Sequence, residues 1–167
     1  SGSTAGFQPY RGQGRYDCII SVVPGSPNKL ILGGIDLWKW EQGVSSPTPF
    51  GQWTQKSQWF LDRNDPLYVH ADIHEFKWNS QGHLYIGSDG GVGRSIDQAE
   101  TFQDYNRGYG STQYYDIGIS TIDLVIGGAQ DNGTSIVGDY GDFIPNYTGL
   151  MGFEVGGGDG FSCHLSN

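Results

Sequence analysis

Apolar and polar residues alternate along this chain in short bursts separated by glycine, Asp and Asn. Nowhere do apolar positions keep the i, i+3, i+4, i+7 spacing of an amphipathic helix. Two of the bursts recur. The first, an aromatic, a small polar residue, two variable positions, an aliphatic and a serine, occurs at Tyr16-Asp17-Cys18-Ile19-Ile20-Ser21 and Tyr115-Asp116-Ile117-Gly118-Ile119-Ser120. It returns at Phe161-Ser162-Cys163-His164-Leu165-Ser166. The second reads Leu30-Ile31-Leu32-Gly33-Gly34, Leu84-Tyr85-Ile86-Gly87-Ser88 and Leu124-Val125-Ile126-Gly127-Gly128. The marker glycines Gly33, Gly87 and Gly127 stand 54 and 40 residues apart, and the last two copies of the first burst 46 apart. Each unit divides into four short strands, in the second unit 69–77, 83–88, 91–95 and 101–105, with Gly, Asp and Asn at the turns between them.

Four antiparallel strands in a repeat of this length describe a blade of a β-propeller. The expected fold class is therefore all-β: a propeller segment of three blades at 14–60, 68–108 and 112–150, with the first strand of a fourth at 156–166. Three blades do not close a ring, and an open stack leaves strand edges and an apolar face bare, so the segment is expected to belong to a larger propeller.

Composition supports the class. Glycine is 28 of 167 residues, over twice the ordinary share of about 7 %. Charged residues are only 16 % while aromatics reach 14 %, a balance that suits neither a helical bundle nor disorder. The formal charge of −9, with no Lys/Arg cluster, argues against nucleic acid as a partner, and no apolar run is long enough for membrane insertion. Cys18 and Cys163 are too few for a disulfide framework, and both are expected to pack as small buried hydrophobes.

The stretch Ser95-Ile96-Asp97-Gln98-Ala99-Glu100-Thr101-Phe102 resembles the Asp-box, or bacterial neuraminidase repeat, Ser-x-Asp-x-Gly-x-Thr-Trp. Ala99 stands where that motif has glycine, and Phe102 where it has tryptophan. With the order of the surrounding segments, the chain is similar to the sortilin-like and xyloglucanase-like propellers of large secreted Bacteroidetes proteins that carry type IX secretion signals. The resemblance implies that Ser95, Asp97, Ala99, Thr101 and Phe102 form the turn between the third and fourth strands of a blade. It also implies an extracellular or outer cell-surface location, as part of a larger parent chain.

Candidate chemistry is spread along the repeat. His70, Asp72 and His74, at i, i+2 and i+4, would share one face of a strand, a set suited to a transition metal, to a substrate or to a polar channel lining. Asp89, Asp131 and Asp159 sit in glycine-rich turns, where they can cap backbone N–H groups; Asp89 and Asp131 are candidate calcium contacts, calcium being the one cofactor in view. A glycoside hydrolase, xyloglucanase-like or sialidase-like, is the enzymatic alternative. It would draw a carboxylate pair from Asp17, Asp72, Asp116 and Asp159, but no pair stands out, and no catalytic residue is assigned. Trp40, Trp53 and Trp59 fall in a Ser/Pro/Gln-rich stretch expected to be a long inserted loop. An exposed Trp in such a loop is a frequent recognition anchor. The functional expectation is a surface or adhesion module that binds a glycan or a protein through blade-edge loops.

Overall fold

The structure is a computed structural model and describes residues 7–43, 50–106, 112–121, 124–139 and 150–165. Among them are twelve strands and no helix. They form three four-stranded antiparallel sheets, each a meander in which neighbours in sequence are neighbours in space: β1-β2-β3-β4, β5-β6-β7-β8 and β9-β10-β11-β12. This is an all-β fold of propeller-like blades. The chain divides into two compact units, Ser1–Tyr109 with the first two sheets and Gly110–Asn167 with the third.

In the first unit, β1 (Ile19–Val23), β2 (Ser26–Gly33), β3 (Leu37–Gln42) and β4 (Gly51–Gln55) make the first sheet. The second comprises β5 (Ile73–Trp78), β6 (Leu84–Ser88), β7 (Gly91–Ser95) and β8 (Gln103–Asp104). The register Ser21↔Ile31↔Lys39 and Ile19↔Gly33↔Leu37 puts one set of side chains on the inner face of the first sheet. There Val23, Ile31 and Leu37 meet Ile73, Phe76, Leu84 and Ile86 of the second sheet, with Val69, Ala99 and Phe102 completing the core. Each fully buried Val, Leu, Ile or Phe contributes roughly 1.5–3 kcal/mol, so this interface is the main stabilising feature of the unit. The contact requires glycine at Gly33, where a Cβ would lie 2.6 Å from Ile73 and 2.8 Å from Phe76. One residue on, the backbone N–H of Ile73 donates to the Gly34 carbonyl (2.8 Å) and ties the start of β5 to the end of β2.

Lys39 is the exception on that inner face. It is only 2 % exposed, and its ammonium reaches out of the first sheet to Glu100 (2.6 Å) and the carbonyl of Gln98 (2.9 Å) in the β7–β8 turn. That turn is built by its own side chains. Asp97 accepts from the N–H groups of Glu100 and Thr101 and from the Thr101 hydroxyl, while the Ser95 hydroxyl accepts from the Ala99 N–H. Gln98 and Ala99 both take positive φ (60° and 66°).

In the second unit, β9 (Tyr114–Ile119), β10 (Val125–Ala129), β11 (Thr134–Asp139) and β12 (Leu150–Gly156) pair in order. The fourth strand therefore runs past the expected blade boundary at 150. The strand expected at 156–166 is not formed: described residues 157–165 contain none. The triglycine Gly156-Gly157-Gly158 turns the chain instead, with Gly158 at φ +74° and Phe161 at +43°. The segment then spends its backbone groups on its own sheet, Gly133 N–H donating to Gly158 and Gly160 N–H to Ala129 (both 2.7 Å).

Candidate functional site

Two places in the first unit gather chemistry. The first lies where β5 begins. Asp17, just before β1, is fully buried at 0 % exposure, and neither of its carboxylate oxygens has a hydrogen-bond partner. Burial pushes its carboxyl up to about 6, and the neighbouring charges of Asp72 and Asp89 add to the effect. Asp72 takes positive φ (62°) and accepts from the side-chain amide of Gln13 (3.4 Å). Burial and Asp89 raise its carboxyl too, against the opposing pull of His70 and His74. Asp89, in the β6–β7 turn, pairs with His74 Nε2 (2.6 Å) and accepts from the Tyr16 hydroxyl (2.8 Å), whose ring stands edge-on to the His74 imidazole at 4.8 Å.

The expected strand over 69–77 starts only at Ile73, so His70, Asp72 and His74 do not lie along one strand face. The positive φ at Asp72 and the bulge between Ile73 and Glu75 break the alternation that spacing assumed. His70 turns its Nδ1 to the Ala71 carbonyl (3.1 Å) and lies so close to Gly90 that a Cβ there would meet its ring. His74 and Asp72 go instead with Asp89 and the buried Asp17.

The second place is the rim loop between β4 and β5. Trp59 and Phe60 stand exposed (44 % and 62 %) with their rings edge-to-face at 6.0 Å. The loop beneath them is cross-braced. Buried Asp36 accepts from the Trp59 N–H (3.0 Å) and from Gln55 (3.0 Å), Gln58 N–H donates to Leu67, and Phe102 N–H to Pro66. Asp62 and Asp65 each cap the N–H two residues on. The same loop supplies Arg63 and Asn64 to an open cleft completed by Phe102, Gln103, Asp104 and Tyr105, the last with the Arg94 guanidinium 4.5 Å above its ring.

The tryptophan stretch is not one long loop. Trp40 and Trp53 are half-buried partners across β3 and β4, Phe7 stacks on Trp53 (4.9 Å), and the Trp40 ring covers Gly51. Cross-strand aromatic pairing turned the expected insertion into a hairpin whose connection, 44–49, lies outside the described residues. Of the three indoles only Trp59 remains on a loop. In the second unit, exposed Asp159 accepts from the Tyr115 hydroxyl (3.4 Å) and from the Asp131 N–H (3.1 Å), and the Asp116 carboxylate from the Ile117 N–H. Neither cysteine is buried: Cys18 is exposed with its thiol on the Tyr10 hydroxyl (3.3 Å), and Cys163 is half-buried. Both lie beside strands rather than inside a sheet interface, which removes the apolar contact expected of them.

No family model, no curated protein and no solved structure matches this chain.

Proposed function

We propose that the chain is a binding module of a larger secreted or cell-surface protein, and that the rim loop before β5 presents Trp59 and Phe60 to a glycan or protein ligand. The observation that carries this reading is the combination of exposure and bracing: two large aromatics in solvent on a loop held by side-chain caps and by Asp36. An exposed aromatic is a strong anchor, and a loop already ordered loses little entropy when it binds. The cleft beside it offers a guanidinium, amides and a carboxylate, the groups that hydrogen-bond sugar hydroxyls while the flat C–H face of a sugar stacks on a ring. The likeness of residues 95–102 to an Asp-box, at the turn between a third and a fourth strand, supports a place among the secreted propellers and an extracellular setting. The outer face of the first sheet, with Ile20 and Val22 exposed beside Trp38 and Trp40, suits a further blade of the parent chain. Hydrolysis is the weaker reading: Asp17, one of its four candidate carboxylates, is sealed from solvent and cannot reach a sugar.

A glycan array probed with the chain and with its Trp59→Ala and Phe60→Ala variants tests the proposal. Loss of specific glycan signals by at least tenfold in Trp59→Ala, with folding intact by circular dichroism, supports a glycan ligand. An unchanged profile removes this loop from recognition. No glycan signal for the parent chain leaves a protein ligand, to be sought with the same variants as controls.

A further inference from the structure

We propose that the Tyr115–Phe161 ring pair of the second unit, with the Asp159 carboxylate beside it, docks an arginine-bearing basic segment of a partner protein. The surface lies wholly within the second unit, and the proposal does not depend on the rim-loop reading.

Charge gives the sign of the partner. The chain has 18 Asp and Glu against nine Lys and Arg, and Gly110–Asn167 holds seven of the acidic residues with no lysine or arginine at all. Most of the formal charge of −9 therefore belongs to this shorter unit. Such a field repels anions and draws cations from a distance.

The ring pair marks where a cation comes to rest. Tyr115, the second residue of β9, and Phe161, past the end of β12, have ring centroids 5.5 Å apart and planes within 13° of parallel, yet they stay 48 % and 61 % exposed. Main-chain contacts fix Phe161 in this pose. The Gly160 N–H donates to the Ala129 carbonyl, and the Phe161 carbonyl lies so close to Gly128 that no Cβ fits between them. Its φ of +43° is one that a bulky residue keeps only where the surroundings hold it.

Asp159 supplies the counter-charge. Its Oδ1 accepts from the Tyr115 hydroxyl and from the Asp131 N–H, which holds the carboxylate beside the rings, and no described residue donates to its Oδ2. A guanidinium can stack on a ring face and donate to a carboxylate at the same time, whereas an ammonium is a point donor without a plane to stack. The openness of the rings suits a side chain carried by a larger partner, since a small free amine depends on a concave pocket.

The test titrates the whole chain against three fluorescein-labelled nonapeptides in which arginine, lysine or glutamate alternates with glycine, read by fluorescence anisotropy. Saturable binding of the arginine peptide is expected, with the lysine peptide at least about threefold weaker and the glutamate peptide unbound. Phe161→Gly leaves the net charge unchanged and gives the left-handed backbone the residue that suits it, so it should stay folded by circular dichroism while affinity falls about tenfold. Asp159→Asn should lose about as much. Glu75→Gln in β5, with the same change in net charge, and Trp59→Ala on the rim loop should bind as the parent does. Absence of saturable binding to the arginine peptide, undiminished binding by Phe161→Gly, or equal losses in Asp159→Asn and Glu75→Gln overturns the proposal, and a lysine peptide bound as tightly overturns the choice of arginine. If Asp159→Asn proves unfolded, Phe161→Gly decides.

Discussion

The strut from Lys39 to the β7–β8 turn predicts that its two ends are unequal. Lys39 is buried, whereas the Glu100 side chain is 46 % exposed and also pairs with Lys56 at 2.6 Å. Glu100→Gln strips the principal counter-charge from a buried ammonium, which is left with the Gln98 carbonyl and a 3.5 Å contact to Glu41. Breaking a buried ion pair from one side typically costs about 3–5 kcal/mol; with Glu100 half in water and Glu41 remaining, about 2–3 kcal/mol is expected. Lys39→Met removes the buried charge together with its need. The apolar stem stays, Glu100 keeps Lys56, and the main loss is one hydrogen bond to the Gln98 carbonyl, about 1 kcal/mol. The double variant should resemble Lys39→Met, because the buried charge is absent from both. Urea unfolding at neutral pH measures all three differences. Acid adds a second readout. Burial raises the Glu100 carboxyl, but the Lys39 and Lys56 ammoniums outweigh it and hold the group below 4.5. A carboxyl whose folded value is depressed stabilises the fold above its unfolded value and loses that contribution as the pH falls through the folded one. The gap between the parent chain and Glu100→Gln should therefore be full at neutral pH and close as the pH falls below 4.5. A Glu100→Gln variant no less stable than Lys39→Met, or a gap that does not change with acid, would refute the reasoning.

Substitutions at two further positions probe the β7–β8 turn and the place where the chain after β12 crosses β10. Asp97→Ala removes the acceptor of two backbone N–H groups and two hydroxyls and should cost about 2–3 kcal/mol by urea unfolding, with Asp97→Asn losing less; equal stability of the parent chain and both variants would deny the turn its capping role. Gly128→Ala puts a methyl 2.1 Å from the Phe161 carbonyl and 2.6 Å from that of Gly160, so backbone must give way; amide exchange at Gly160 should speed up and stability fall by about 1–3 kcal/mol, and unaltered exchange there would contradict the close crossing.

The periodic part of the fold was legible because blades are local. The markers Gly33, Gly87 and Gly127 all fall in second strands, and β7 runs over the residues expected. Position 2 alternation also hid a signal in plain view: Lys39 shares the inward parity of Leu37, and a lysine at an inward strand position announces a buried ion pair. The rest depended on contacts distant in sequence. Nothing near Trp40 says that Trp53 will sit across from it, so a hairpin read as an insertion. Phe161–Ser166 has the composition of a first strand, yet composition alone does not give a strand its pairing partner. The candidate site was half visible: Asp72, His74 and Asp89 stood out as residue types, but the partnerless state of Asp17 is a property of burial, and the αL backbone at Asp72 undid the i, i+2, i+4 argument.

The joint between the sheets of the first unit has a consequence for which of its parts must hold it. Ile73 enters through a backbone N–H on the Gly34 carbonyl, and Gly160 crosses the third sheet through a backbone N–H on the Ala129 carbonyl. Both contacts are written in main-chain atoms beside a glycine that keeps the space clear, Gly33 in one case and Gly128 in the other. At the contact point itself such a coupling asks only room, which Gly33 and Gly128 supply. The demand for particular side chains in the first unit falls instead on the apolar faces that meet across the seam, so the main-chain contact sets where the sheets touch and the apolar faces set how firmly they hold.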